Sequence, residues 1–150
     1  MAINISDIKK LRDETQASIS DVKKALEESS GDYKKALEWL KKRGIEKAEK
    51  KADRQASQGL IESYVHGGGK IGVLVKISCE TDFVARTDEF KNLAHEVAMQ
   101  VSAMNPKDVS ELLKQEYIRD NTMTVEDLIK QEIGKLGENI VVKEFSRIEL

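Results

Sequence analysis

The stretch IGVLVKISCETDFVART, Ile71–Thr87, joins the two residue patterns that decide the fold. In its first half, large apolar residues recur at alternate positions, and this period of two predicts a β-strand. After it, from Asp88 to Met104, apolar residues recur at the three- and four-residue intervals of a helix. The turn in between, Asp82-Phe83-Val84, is unusual because turns favour Gly, Asn, Asp or Ser and give apolar side chains little to pack against.

Two interpretations of Phe83 are open at this point. An apolar tip flanked by charged residues, carried on a strand-to-helix turn, suits insertion into another molecule. Alternatively, the ring turns back beneath the sheet and joins the core. The spacing of the residues favours neither interpretation over the other.

The segments around this stretch complete a small sheet. Residues 59–66 predict a partner strand joined through the turn His66–Lys70, and residues 139–149 predict a third strand. Residues 108–118 predict a short helix, and a further helix starts at Thr124 with a pattern like a capping box and ends at Gly137. The sequence therefore predicts an α+β fold in which a three-stranded antiparallel sheet carries helices on one face.

The predicted strands have apolar residues on both faces. Strict alternation along the last strand places Ile140, Val142 and Ile148 on one side and Val141 and Phe145 on the other. Because the helices cover one face only, a second copy of the chain is the simplest cover for the other face. The alternative is that these are scattered exposed apolar residues, which are normal on protein surfaces.

Ahead of the sheet, residues 4–43 predict three short helices that form a small N-terminal bundle. Gly44 is expected to end the third helix. Residues 45–58, in which basic residues alternate with acids and alanines, predict a solvated helical linker. The expected domains are a three-helix module at 1–44, this linker at 45–58 and an α+β core at 59–150.

The composition limits the classes of function. The chain has 150 residues, 35% of them charged, and a formal net charge of −2, so the whole molecule is not expected to bind polyanions. Residues 1–56 carry a net charge of +3 and residues 57–150 one of −5, which suggests two modules with different surfaces. The single cysteine, Cys79, fits a reducing cytosol, and we expect neither a secretory signal nor a membrane span. A cytoplasmic protein is therefore predicted.

No set of residues in the sequence is arranged for catalysis. His66, His95 and Cys79 lack the paired spacing of a metal site and fall on separate elements, so we expect no metal and no cofactor. Gly67–Lys70 lacks the spacing of a phosphate-binding loop and is interpreted as a hairpin turn. Since no general acid–base pair is found either, an enzyme is not expected.

Basic residues near the end of the third predicted helix, Lys41-Lys42-Arg43, could touch nucleic acid. Acidic residues dilute the run, however, and no aromatic residues are interleaved for base stacking. A solvated helix face is favoured, and no direct binding of nucleic acid is expected. Trp39 lies off the apolar face of the same helix, where it either contacts a partner or packs at the edge of the bundle.

Several segments resemble the elongation factor Ts family, and together they cover nearly the whole chain. Thr81–Ala85, with Cys79 before it, is similar to the signature turn of the family. Leu11–Thr15 and Asp21–Leu26 are similar to its N-terminal module, which resembles a ubiquitin-associated domain. Gly137–Ile140 and the strand around Phe145 are similar to the end of its core. Gln16–Ser20 departs from the Gly-Ala-Gly-Met-Met-like stretch that is usual there, although Ile19 could still supply an apolar contact.

This resemblance implies a guanine-nucleotide exchange factor that binds elongation factor Tu in its GDP-bound and nucleotide-free states. The turn would insert near the partner's magnesium and phosphate site and so loosen GDP, and the metal would belong to the partner. The residues implied in this insertion are Thr81, Asp82, Phe83 and Val84. The residues implied in docking of the N-terminal module on elongation factor Tu are Arg12, Ile19, Asp21, Val22 and Lys23.

The chain also looks like a short form with a single core unit, which favours pairing of two copies through their sheets. The rival hypothesis is a non-enzymatic adaptor that associates with RNA or the ribosome through the basic residues in 41–54. Binding of RNA by such an adaptor would fall steeply with salt.

Overall fold

A three-stranded sheet with one long helix across it forms the centre of the structure, a computed structural model that describes residues 3–150. The elements in chain order are α1 (Ile5–Thr15), α2 (Ile19–Glu28), α3 (Tyr33–Glu49), β1 (Gln58–His66), β2 (Ile71–Cys79), α4 (Asp82–Ala85), α5 (Asp88–Met104), α6 (Val109–Lys114), β3 (Glu116–Tyr117), β4 (Asp120–Thr124), α7 (Val125–Leu136) and β5 (Val141–Glu149). Within the described range, no helix is long and apolar enough to cross a membrane.

The sheet has the strand order β1-β2-β5, and both pairs are antiparallel. Its covered face packs on α5, and the buried side chains of β2 meet those of the helix. These residues are Val73, Val75 and Ile77 on the strand and Phe90, Leu93, Val97 and Val101 on the helix. The predicted α+β fold, with helices on one face of a three-stranded antiparallel sheet, is therefore confirmed.

The alternation predicted for the last strand is wrong beyond Val142. Lys76 pairs with Glu144 but Ile77 pairs with Val142, so one extra residue, Lys143, bulges out of β5. A bulge reverses the face on which every later residue of its strand lies. Phe145 therefore packs with Val142 against the core, and Ile148 lies on the open face.

The expected end of the third helix at Gly44 is also wrong, because α3 continues to Glu49. A glycine inside a helix costs only about 1 kcal/mol relative to alanine, and here it has a use. A Cβ atom built on Gly134 of α7 would lie 2.9 Å from the Cα of Gly44, so the two helices cross with almost no space between their backbones. Beyond the crossing, Ala48 is buried against the main core, which makes this part of the supposed linker a packed element.

The predicted helix at 108–118 is shorter than expected, since α6 ends at Lys114 and a small hairpin of β3 and β4 follows. The buried Gln100 of α5 holds this hairpin. Its amide nitrogen donates to the backbone oxygen of Glu116 (3.0 Å), and its amide oxygen accepts from the backbone N–H of Ile118 (3.0 Å). A polar side chain 16 to 18 residues away thus replaces the helical hydrogen bonds of this segment.

The caps predicted for α7 are confirmed. Thr124 accepts a hydrogen bond from the backbone N–H of Asp127, whose carboxylate accepts from the backbone N–H of Thr124 in return, which completes a capping box. Gly137 ends the helix in the left-handed conformation, with a φ of 78°. The chain then turns directly toward the end of β2, where the turn singled out by the sequence begins.

Candidate functional site

The turn between β2 and α5 is a short helix held by two threonine caps. Thr81 is extended (φ −125°, ψ 152°), and its hydroxyl accepts from the backbone N–H of Val84 at 3.3 Å. Thr87 caps α5 in the same way, by accepting from the backbone N–H of Phe90 at 3.2 Å. Each threonine hydroxyl accepts a hydrogen bond from the backbone N–H three residues later, which is the geometry of an N-cap. The positions of the two threonines in the sequence therefore set where both helices start.

Burial changes abruptly within this turn. Val84 and Ala85 are 6% and 5% exposed and belong to the main core, whereas the side chain next to them, Phe83, is 83% exposed. Of the two interpretations left open by the sequence, the structure selects the one in which the ring points away from the core. Val84, which the family resemblance implied in partner contact, is buried in the core and anchors the turn.

The acid beside the ring is also exposed and has a local partner. A carboxylate oxygen of Asp82 lies 2.6 Å from a guanidinium nitrogen of Arg86, one helical turn later. Both side chains are more than half exposed, so solvent screens this ion pair and another partner can replace it. Asp82 and Phe83 together form an exposed acid–aromatic tip.

Two carboxylates fasten the base of the turn to the segment after α7. The side chain of Glu138 accepts from the backbone N–H groups of Glu80 (3.1 Å) and Thr81 (2.9 Å) and from the hydroxyl of Thr81 (2.7 Å). In the opposite direction, the side chain of Glu80 accepts from the backbone N–H of Asn139 at 2.8 Å. We call this reciprocal set the Glu80–Glu138 clamp.

The clamp extends to the connection between the N-terminal helices and the sheet. The amide nitrogen of Asn139, a buried residue, donates to the backbone oxygens of Ala52 (3.3 Å) and Arg54 (2.8 Å). Arg54 in turn lies 3.6 Å from the carboxylate of Glu80. These residues were not among those that the sequence predicted for the site. The signal available was a pair of polar residues, Glu138-Asn139, between a helix-ending glycine and an apolar strand.

Cys79 lies directly beneath the turn and is fully buried. Burial raises the pKa of its thiol, so the group stays protonated at neutral pH, and its Sγ donates to the backbone oxygen of Thr81 at 3.1 Å. A nucleophile needs the thiolate and access to solvent. The structure therefore confirms the expectation that Cys79 is a core residue of the strand.

The residues implied in docking of the N-terminal module do not all face outward. Arg12, Ile19 and Lys23 are exposed, and the latter two lie one helical turn apart on α2. Val22 is completely buried in the core of the three helices. Asp21 is partly buried and bound by Lys47 of α3 at 2.5 Å, and this bond lowers the pKa of its carboxyl group.

The other features weighed in the sequence have structural roles. Trp39 packs on the three-helix core and donates to Glu28 at 2.8 Å, which places it at the edge of the bundle. Residues 67–69 have positive φ angles and form the predicted hairpin turn. Across residues 3–150, no three His, Cys, Asp or Glu side chains are grouped in a way that could hold a metal ion.

Comparison with known proteins gives consistent similarities. A family model described as Elongation factor TS matches residues 80–150, from the clamp to the C-terminus. The chain is 45% identical to the elongation factor Ts of Coprothermobacter proteolyticus, with 98% of each chain covered. It is 43% identical to that of Rippkaea orientalis (99% of this chain and 78% of the relative) and 40% identical to the chloroplastic one of Rhodomonas salina (99% and 89%). These alignments span 192 to 194 positions, more than the 150 residues of the chain, so the relatives carry internal residues that it lacks.

Proposed function

We propose that the Asp82-Phe83 tip is the element that displaces GDP, from the premise that the chain belongs to the elongation factor Ts family. Members of this family are the nucleotide exchange factors of elongation factor Tu in translation elongation. Exchange of a bound nucleotide breaks no covalent bond, so the chain acts as a binding protein and not as an enzyme. What exchange does require is tighter binding to one state of the partner than to another.

The exposure of Phe83 is the observation that carries this proposal. A free phenylalanine side chain that is 83% exposed contributes little to folding, and the residues on its C-terminal side are anchored in the core. A bulky ring on a fixed base suits a wedge, because the backbone that carries the ring does not need to be ordered when the partner is bound. Asp82 adds a negative charge at the same tip.

The mechanism follows from linkage between two ligands of one protein. We propose that the tip enters the nucleotide-binding domain of elongation factor Tu near the magnesium and the phosphates, where the ring separates packed elements and the carboxylate of Asp82 disturbs magnesium coordination. The tip then fits the nucleotide-free state better than the GDP state. By thermodynamic reciprocity, binding of the tip lowers the affinity of elongation factor Tu for GDP by the same factor by which GDP lowers its affinity for the tip. Returning nucleotide therefore displaces the factor.

We propose that the N-terminal module at 1–44 supplies the second hold on elongation factor Tu. Arg12, Ile19 and Lys23 form its exposed contact residues, while Val22 and Asp21 keep α2 in place for them. The close crossing of α3 and α7 supports this proposal, since it fixes the module relative to the tip. Two contacts held at a fixed distance reach a partner together at a smaller entropic cost than two flexible ones.

We further propose a homodimer through the open face of the sheet. Ile61, Val65, Leu74 and Ile148 are 52% to 75% exposed on this face, and Val65 and Ile148 flank Gly72 in adjacent strands. A second sheet packed there would bury this apolar surface. Sedimentation velocity should give a dimer, and Leu74→Glu should shift it to monomer. Met104→Glu, at 49% exposure on α5, is the matched control and should leave the dimer intact.

Translation takes place in the cytosol of bacteria, and we propose that compartment for this chain. A single buried thiol with a raised pKa is compatible with reducing surroundings.

Release of a fluorescent GDP analogue from elongation factor Tu tests the proposed role of the tip. Catalytic amounts of the wild-type chain should accelerate release, and Phe83→Ala should remove most of that acceleration while its melting temperature stays near that of the wild type. Leu150→Ala is the matched control, because Leu150 is 92% exposed and pairs with Lys70 at the far end of β2. Full acceleration by Phe83→Ala would reject the wedge.

A further inference from the structure

The Glu80–Glu138 clamp joins parts of the chain that lie 57 to 59 residues apart. Glu138 is the only carboxylate in the described hydrogen bonds of residues 3–150 that accepts from two consecutive backbone N–H groups at the base of the tip. Hydrogen bonds to a charged acceptor are stronger than those between neutral groups. A single side chain from outside the turn therefore accepts three hydrogen bonds from its base.

The clamp also orients the cap that starts α4. The hydroxyl of Thr81 donates its one hydrogen to Glu138, which leaves a lone pair of the same oxygen free to accept from the backbone N–H of Val84. A helix of four residues has no stability of its own, since forming a helical turn is unfavourable without further contacts. The direction in which Phe83 points thus depends on how Thr81 is held.

From this geometry we propose that Glu138 is a positioning residue for nucleotide exchange. It does not touch elongation factor Tu; it acts through Thr81 by fixing the short helix that carries the acid–aromatic tip. This inference rests on the proposed function of Phe83. Since displacement of a positioned group by about 1 Å can lower a rate on the order of 100-fold, loss of the clamp should reduce exchange strongly.

Two substitutions separate the parts of the clamp. Glu138→Ala removes all three accepted hydrogen bonds. Glu138→Gln keeps an oxygen that can accept from the backbone N–H groups of Glu80 and Thr81, but its amide nitrogen cannot accept from the hydroxyl of Thr81. Glu126→Ala is the matched control, because it removes an exposed carboxylate from the opposite end of the neighbouring helix α7.

The measurement is release of the GDP analogue over a range of factor concentrations, with thermal unfolding of every variant. At saturating factor, we expect Glu138→Ala to lower the release rate by about 10- to 100-fold and Glu138→Gln by less. The half-saturating concentration should change by less than about twofold, because docking by the N-terminal module is intact. A purely structural role would instead lower the melting temperature and leave the saturated rate of the folded protein unchanged.

A double-mutant cycle with Phe83→Ala makes the inference specific. If Glu138 acts through the tip, Glu138→Ala should slow release by a much smaller factor in the Phe83→Ala background than in the wild type. Losses that multiply in the double variant, or a wild-type saturated rate for folded Glu138→Ala, would overturn the positioning role while the wedge stands. A wild-type rate for Phe83→Ala alone would reject the wedge itself and the positioning role with it.

Discussion

Two glycines at one helix crossing should respond in opposite directions to the same substitution. Gly44 of α3 and Gly134 of α7 both lie within helices, where alanine is favoured over glycine by about 1 kcal/mol. A Cβ on Gly44 would meet no atom within 4 Å. A Cβ on Gly134 would lie 2.9 Å from the Cα and 3.0 Å from the backbone oxygen of Gly44, so the helices would have to separate.

The magnitudes follow from these two surroundings. Gly44→Ala should raise the free energy of unfolding by about 0.5–1 kcal/mol, since only helix propensity changes. For Gly134→Ala, overpacking costs about 1–3 kcal/mol, which outweighs the gain in propensity and gives a net loss of about 1 kcal/mol. For a chain of this length, 1 kcal/mol corresponds to roughly 2–4 °C in melting temperature.

Urea unfolding is the suitable assay, followed in parallel by circular dichroism and by the fluorescence of Trp39. Trp39 is the only tryptophan and lies in the N-terminal helices, so its signal reports the element that the crossing holds in place. The midpoint should rise for Gly44→Ala and fall for Gly134→Ala. Equal stabilisation by both substitutions would refute the close crossing, and with it the fixed spacing between module and tip.

Three further substitutions test the electrostatics and capping of the fold by urea unfolding at several pH values. The hydrogen bond from Lys47 lowers the folded pKa of Asp21, so the ion pair stabilises the fold fully above the ordinary pKa of 3.8, and this stabilisation is lost as pH falls through the folded pKa. Asp21→Asn should therefore lower the free energy of unfolding at pH 7, and variant and wild type should become equally stable in acid. Burial raises the folded pKa of Glu132, so its charge destabilises the fold increasingly as the pH rises above the ordinary value of 4.5, and the full loss is reached above the folded pKa. Glu132→Gln should therefore stabilise the protein at pH 7, and a destabilised variant would contradict the assigned burial. Thr124→Ala should lose about 1 kcal/mol through the capping box of α7, and an unchanged midpoint would mean that the cap contributes nothing.

Local chemistry explains which parts of the fold could be predicted from the sequence. The alternation in Ile71–Cys79 and the capping box at Thr124 depend on residues within a few positions of one another, so each element is specified where it occurs. The extra residue at Lys143 was missed because a bulge leaves the apolar composition of its strand unchanged. The hairpin after α6 was missed because Gln100, on another helix, satisfies its backbone.

In the candidate site too, features set by neighbouring residues could be predicted and features set by distant contacts could not. The sequence singled out Asp82-Phe83-Val84 because apolar residues are unexpected in a turn, but it could not say which of them would be buried. That outcome depends on the packing of Val84 against the core and on the hold of Glu138, a contact between segments far apart in the chain. A residue that acts by accepting hydrogen bonds from a distant segment leaves no periodic pattern in the sequence.

Photo-crosslinking from position 83 tests most directly whether the ring enters elongation factor Tu. A benzoylphenylalanine placed at Phe83 keeps an aromatic side chain at the exposed tip and reacts with whatever it touches. We predict a crosslink to nucleotide-free elongation factor Tu, within its nucleotide-binding domain, that disappears when GDP and magnesium are added in excess. A crosslink equally strong with and without GDP, or none in a complex that forms normally, would contradict the proposal that this tip drives exchange.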